Sequence, residues 1–122
     1  MTDEQGNDAP DDSRHDNLDE TALIARDLIR IDTSNFGEGK SNGEVEAAEY
    51  LSAKLTALGL DSGMYESAKG RVSVVARVEG ADPTKSALVV HGHTDVVPAM
   101  AEDWSVDPFA GVIKDGMLWG RG

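Results

Sequence analysis

Apolar residues recur at helical spacing through the first part of the chain. Leu18, Ala22, Ala25 and Ile29 fall on one face, and Ile24, Leu28 and Ile31 widen it, which predicts a helix over residues 17–33. Asn17 is suited to cap that helix, with Glu20 three residues on completing a capping-box-like pair. The loop SNFGEGK follows. Ser41 and Glu44 then form an S-x-x-E capping box ahead of a second helix, whose buried stripe is Val45, Ala48, Leu51, Leu55 and Leu58. Gly59 sits where a left-handed residue ends a helix, and Leu60 is placed to fold back on the last turn. Glu44, Glu46 and Glu49 read as a solvated face.

Beyond Gly59 the periodicity changes. Residues 60–66 read as a short strand, and residues 71–79 (RVSVVARVE), rich in β-branched side chains, as another. Residues 80–83 (GADP) mark a turn. The run SALVVH at residues 86–91 is continuously apolar, the pattern of a strand buried on both faces. Asp115-Gly116, between two short apolar pieces, signals a hairpin within residues 111–119. Two helices followed by strands suggest an α/β layer.

Charge changes the picture at one end only. The chain has 122 residues and a net charge of −12, and residues 1–20 hold eight acids against the single base Arg14. So polar a stretch buries too little apolar surface to offset its ordering entropy, and residues 1–16 are expected to form a disordered acidic tail. The acidity argues against nucleic acid and anionic membranes as partners. No apolar run reaches the ~20 residues that span a bilayer, and residues 1–13 lack the basic and apolar regions of a secretory signal. A cytoplasmic protein is the expectation. With no cysteine, a disulfide framework, a thiolate zinc site and a cysteine nucleophile are excluded, so any metal must be held by His, Asp or Glu.

The densest polar cluster is His91-Gly92-His93-Thr94-Asp95, at the C-terminal end of the expected buried strand, where ligands gather in open α/β sheets. In extended backbone His93 and Asp95 leave the same side. That suits an imidazole metal ligand whose other ring nitrogen is held by a carboxylate. His91 would point with them in a regular strand, although Gly92 frees the backbone to depart from regularity. On spacing alone, a structural histidine and a weak adventitious site formed by His91 and His93 remain alternatives.

LVVHGHTDVVP at residues 88–98, then Trp104 and Asp107-Pro108-Phe109, then DGMLWGRG at residues 115–122, closely resemble the N-terminal catalytic region of the M20 metallopeptidases. That family comprises dipeptidases, carboxypeptidases, aminoacylases and acetylornithine and succinyl-diaminopimelate deacylases. The resemblance implies an α/β fold, the N-terminal part of a zinc-peptidase-like catalytic domain, with two helices and then a mixed, largely buried sheet over residues 17–122. It implies two zinc ions, or other divalent metals, with His93 a metal ligand and Asp95 the catalytic carboxylate supporting it. Metal-bound water would then attack the amide bond of a small peptide or N-acyl amino acid. Trp104, Pro108 and Phe109 are expected to pin the loop after the site, and Arg121 to orient an acidic group near the metals. The bridging aspartate, the glutamate base and the other ligands normally lie downstream of the residues present. The expectation is therefore an N-terminal fragment of a hydrolase, homodimeric when full-length, and inactive and poor in zinc by itself. The alternative is a non-catalytic α/β remnant serving as a structural or interaction module.

Overall fold

The computed structural model describes residues 19–121, so the acidic tail at residues 1–16 and the Asn17 cap lie outside the described residues. Helix α1 spans Glu20–Ile29, shorter than the 17–33 pattern. Its cap is Asp19, whose carboxylate accepts a hydrogen bond from the Thr21 amide (3.1 Å). The helix stops because Thr33 and Ser34 are drawn into other contacts. Thr33 Oγ1 donates to the Thr94 carbonyl (2.6 Å), and Ser34 forms a parallel bridge with Val96. Strands β1 (Asn35–Gly37) and β2 (Lys40–Ser41) make a small hairpin where the sequence reads as loop. Its turn runs through positive φ at Gly37, Glu38 and Gly39.

Helix α2, Val45–Ala57, lies where the stripe predicts it, but the capping box does not form. Ser41 Oγ accepts from the Gly43 amide instead (3.0 Å), and Glu44 turns inward. The buried face is Ala47, Ala48 and, in part, Leu51 and Leu55, while Val45 and Leu58 are exposed. The C-terminal expectation holds. The Gly59 amide reaches the Thr56 carbonyl (2.9 Å) and the Leu60 amide reaches Leu55 (3.0 Å), with Gly59 at φ +78°.

Strands β3 (Ser62–Ala68) and β4 (Arg71–Ala76) pair antiparallel, and α2 packs on them. Strands β5 (Val112–Lys114) and β6 (Met117–Trp119) form the predicted hairpin. Its Asp115-Gly116 turn has both residues at positive φ, the combination a type I′ turn needs. The architecture is α/β with two helices, as expected. In place of a mixed, largely buried sheet, the described residues form three small antiparallel ribbons and one parallel bridge, with every strand residue half-buried or exposed because too few elements are present to cover them. Residues 86–91 depart from expectation. They form no strand, and Leu88, Val89 and Val90 are 80–86 % exposed. A strand apolar on both faces needs ladder partners and two covering layers, and no described segment offers either.

The two helices are joined by the Tyr50 hydroxyl, which donates to Asp27 Oδ2 (2.9 Å). Burial, and then this bond to an anion, push the Tyr50 phenol up to about 12 from 10.0. The fold thus favours the protonated phenol. Its contribution is complete below pH 10, the unfolded value, and is lost as pH rises through about 12. An ultraviolet titration of the Tyr65→Phe variant, which leaves Tyr50 as the reporter, is expected to show that late ionisation. A midpoint at the ordinary tyrosine value would show that the Asp27 contact does not persist in solution.

Among the described residues, no helix is long and apolar enough to cross a membrane.

Candidate functional site

Residues 94–96 are clamped to residues 33–35. The Asn35 amide donates to the Val96 carbonyl (2.8 Å), the Val96 amide to Thr33 (3.2 Å), and the Thr33 hydroxyl to Thr94. This fixes the backbone that carries Asp95. Its Oδ2 accepts from Asn35 Nδ2 (2.8 Å) and from Arg71 Nη2 (3.2 Å), leaving Oδ1 facing His93 Nδ1 at 3.1 Å. The Asp95 backbone carbonyl lies 2.8 Å from the same ring nitrogen. The Asn35 hydrogen bond, then Arg71 and His93, hold the Asp95 carboxyl below its ordinary value against an opposing push from burial.

Both atoms facing His93 Nδ1 are acceptors, so a neutral imidazole here carries its proton on Nδ1 and presents the Nε2 lone pair. The ring is 79 % exposed. The predicted pairing of His93 with Asp95 is therefore present, at hydrogen-bond distance. His91 is also exposed and is not part of that pairing.

Arg71 was legible in the sequence only as the first residue of a strand, and Glu44 only as part of a solvated face. The structure corrects the second reading. Glu44 is 4 % exposed and pairs with Arg71, whose Nε lies 2.9 Å from both carboxylate oxygens. A charge this buried requires such a partner. A cavity of about 450 Å³ opens beside the pair, walled by Ala48 and Leu51 of α2, by β4, and by Gly92 to Asp95. No local signal links Glu44, Arg71 and Asn35, since each sits on a different element.

Arg121 does not face the His93–Asp95 pair. Its Nη1 donates to the Ile29 carbonyl (2.9 Å) and its Nη2 to Ile31 (3.4 Å), while its guanidinium lies 3.6 Å from the centre of the Phe109 ring. The acid it approaches is Asp32, at 3.6 Å. Pro108 is fully buried, and Trp104 and Phe109 are half-buried, as expected of residues that pin a loop.

Among the described residues, no three His, Cys, Asp or Glu side chains group so as to hold a metal ion. A catalytic zinc takes about three protein ligands plus an open position. His93 supplies one, so the donor set present does not complete a zinc centre.

Residues 89–122, which hold His93, Asp95 and the β5–β6 hairpin, match peptidase family M20/M25/M40. The chain belongs to this family. It is 40 % identical over 77 residues to Aminoacylase-1 of Sus scrofa, a match covering 62 % of this chain and 19 % of that protein. To the N-fatty-acyl-amino acid synthase/hydrolase of Homo sapiens it is 32 % identical over 96 residues, covering 77 % and 19 %. To a probable succinyl-diaminopimelate desuccinylase of Staphylococcus epidermidis it is 35 % identical over 105 residues, covering 85 % and 24 %. This M20 chain thus spans about a fifth to a quarter of the length of these relatives.

Proposed function

We propose that this M20 chain forms the His93 edge of a hydrolase that cleaves amide bonds of small peptides or N-acyl amino acids with metal-activated water. The observation that carries the reading is the imidazole of His93. It is held at Nδ1 by Asp95, which leaves Nε2 as the ligating nitrogen, within the segment that matches the family. The similarity to an aminoacylase, a fatty-acyl-amino acid hydrolase and a desuccinylase supports the substrate class. Zinc is the expected metal, since an imidazole nitrogen with carboxylate support and no thiolate suits it. A cytoplasmic location and a homodimeric whole protein belong to the same proposal.

Among the described residues the site offers one ligand, His93, and the chain by itself is proposed to be inactive. What its residues do is narrower. Asp95 fixes the tautomer and direction of the ring, and Asn35 and Arg71 fix Asp95. A zinc titration read on the His93 ring nitrogens tests this. Added zinc is expected to shift the Nε2 signal of the wild-type ring, weakly and with reversal by EDTA, as a single ligand should. An Nε2 signal that does not respond would remove His93 from the site, and robust turnover of N-acetyl amino acids or dipeptides by the chain alone would overturn the inactivity.

A further inference from the structure

Asp95 cannot orient His93 unless it is itself oriented, and the molecule shows what supplies that. The entry to α2 is stitched to the β3–β4 turn. Gly43 stands at φ +83°, a Cβ there would lie 2.8 Å from the Gly70 carbonyl oxygen, and the Glu44 amide donates to that same oxygen (2.8 Å). Glu44 and Arg71, each one residue beyond a stitched glycine, are thereby brought side by side. The Glu44 carboxylate, buried, takes the Nε end of the guanidinium, with Oε1 left without a hydrogen-bond partner of its own. A guanidinium is rigid and planar, so holding one edge aims the other. The aimed nitrogen is Nη2, and it meets Asp95 Oδ2 at 3.2 Å. Asn35 meets the same oxygen from the other side, so Oδ1 alone is left to face His93.

We propose that Arg71, anchored by the buried carboxylate of Glu44, is a positioning residue that sets the Asp95 carboxylate and through it the tautomer of His93. This rests on the reading of Asp95 as the group that holds His93. The two are separable because Asp95 can be removed without touching the Glu44–Arg71 pair.

The test reads the His93 ring nitrogens by long-range proton–nitrogen correlation in the full 122-residue chain, at about pH 8.5, where an ordinary imidazole is neutral. His93→Gln identifies the signal. The wild-type ring is expected to be predominantly Nδ1–H. In Asp95→Ala the Nδ1–H to Nε2–H ratio is expected to fall severalfold, with only the backbone carbonyl left at Nδ1. Glu44→Gln combined with Arg71→Met removes the ion pair without leaving a lone buried charge, and is expected to lower the ratio by a similar factor. Arg71→Lys keeps the charge but has no second arm with which to bridge Glu44 and Asp95, so it too is expected to lower the ratio. A wild-type ratio in the double variant overturns the role of Arg71 if Asp95→Ala has shifted it. A wild-type ratio in Asp95→Ala instead overturns the underlying reading of Asp95. Should the double variant fail to fold, Arg71→Lys decides alone, and a wild-type ratio there overturns the proposal.

Discussion

Replacing Gly43 with alanine is expected to lower the unfolding free energy by about 2–4 kcal/mol, the sum of a left-handed backbone penalty and a forced separation of two packed segments. The residue stands at φ +83°, and the new methyl would sit 2.8 Å from the Gly70 carbonyl oxygen. That oxygen is backbone and cannot swing aside as a side-chain tip would. The N-terminus of α2 must move away from the β3–β4 turn, and the Glu44–Gly70 hydrogen bond goes with it. Gly37 and Gly39 provide the control. Both have positive φ, and neither has anything within 4 Å of the Cβ position. Alanine at either is expected to cost about 1 kcal/mol, the backbone penalty without the clash. Urea melts of the three variants separate the two contributions, and a Gly43 penalty no larger than that of Gly37 would mean that the approach to Gly70 yields without cost.

Arg121→Ala is expected to destabilise by a comparable amount, about 2–4 kcal/mol, because it removes charge-assisted hydrogen bonds and a ring contact together. Arg121 is buried, and it donates to the carbonyls of Ile29 and Ile31, where α1 ends with unpaired acceptors and the negative end of its dipole. The guanidinium also covers the Phe109 ring at 3.6 Å. Lysine cannot make the fork to two carbonyls while lying flat on the ring, so Arg121→Lys is expected to recover less than half of the loss. Thermal melts of both variants check this, and full recovery by lysine would reduce the role of Arg121 to its charge.

What was legible in the sequence is what short-range rules decide. The Asp115-Gly116 turn and the Gly59 helix end each depend on a glycine beside a local pattern, and both form. The pairing of His93 with Asp95 is likewise local, set by two residues with one between. Glu44 shows where such rules fail. An S-x-x-E spacing fits a capping box and fits equally a glutamate turned toward an arginine 27 positions on, and only the tertiary approach of Gly43 to Gly70 chooses the second. Asn35 is hidden for the same reason, since its partner Asp95 is 60 residues away. The apolar run at residues 86–91 has the composition of a buried strand, but burial is a property of its neighbours, and the described residues place none beside it.

The contacts around α1 also set an order of events. Arg121 reaches Ile29 across 92 residues, Arg30 reaches the Ala110 carbonyl across 80, and Gly120 packs against Ile29 closely enough that a Cβ would come within 2.6 Å of its side chain. Closing loops of this length is slow relative to forming a helix or a hairpin. During synthesis at about 5–20 residues per second, α1 would wait on the order of 5–20 s after emerging before Arg121 arrives to cover its exposed carbonyls. Over that interval α1 has the Tyr50–Asp27 bond to α2, while its C-terminal carbonyls and the Ile29 side chain still lack the contacts that arrive with Gly120 and Arg121.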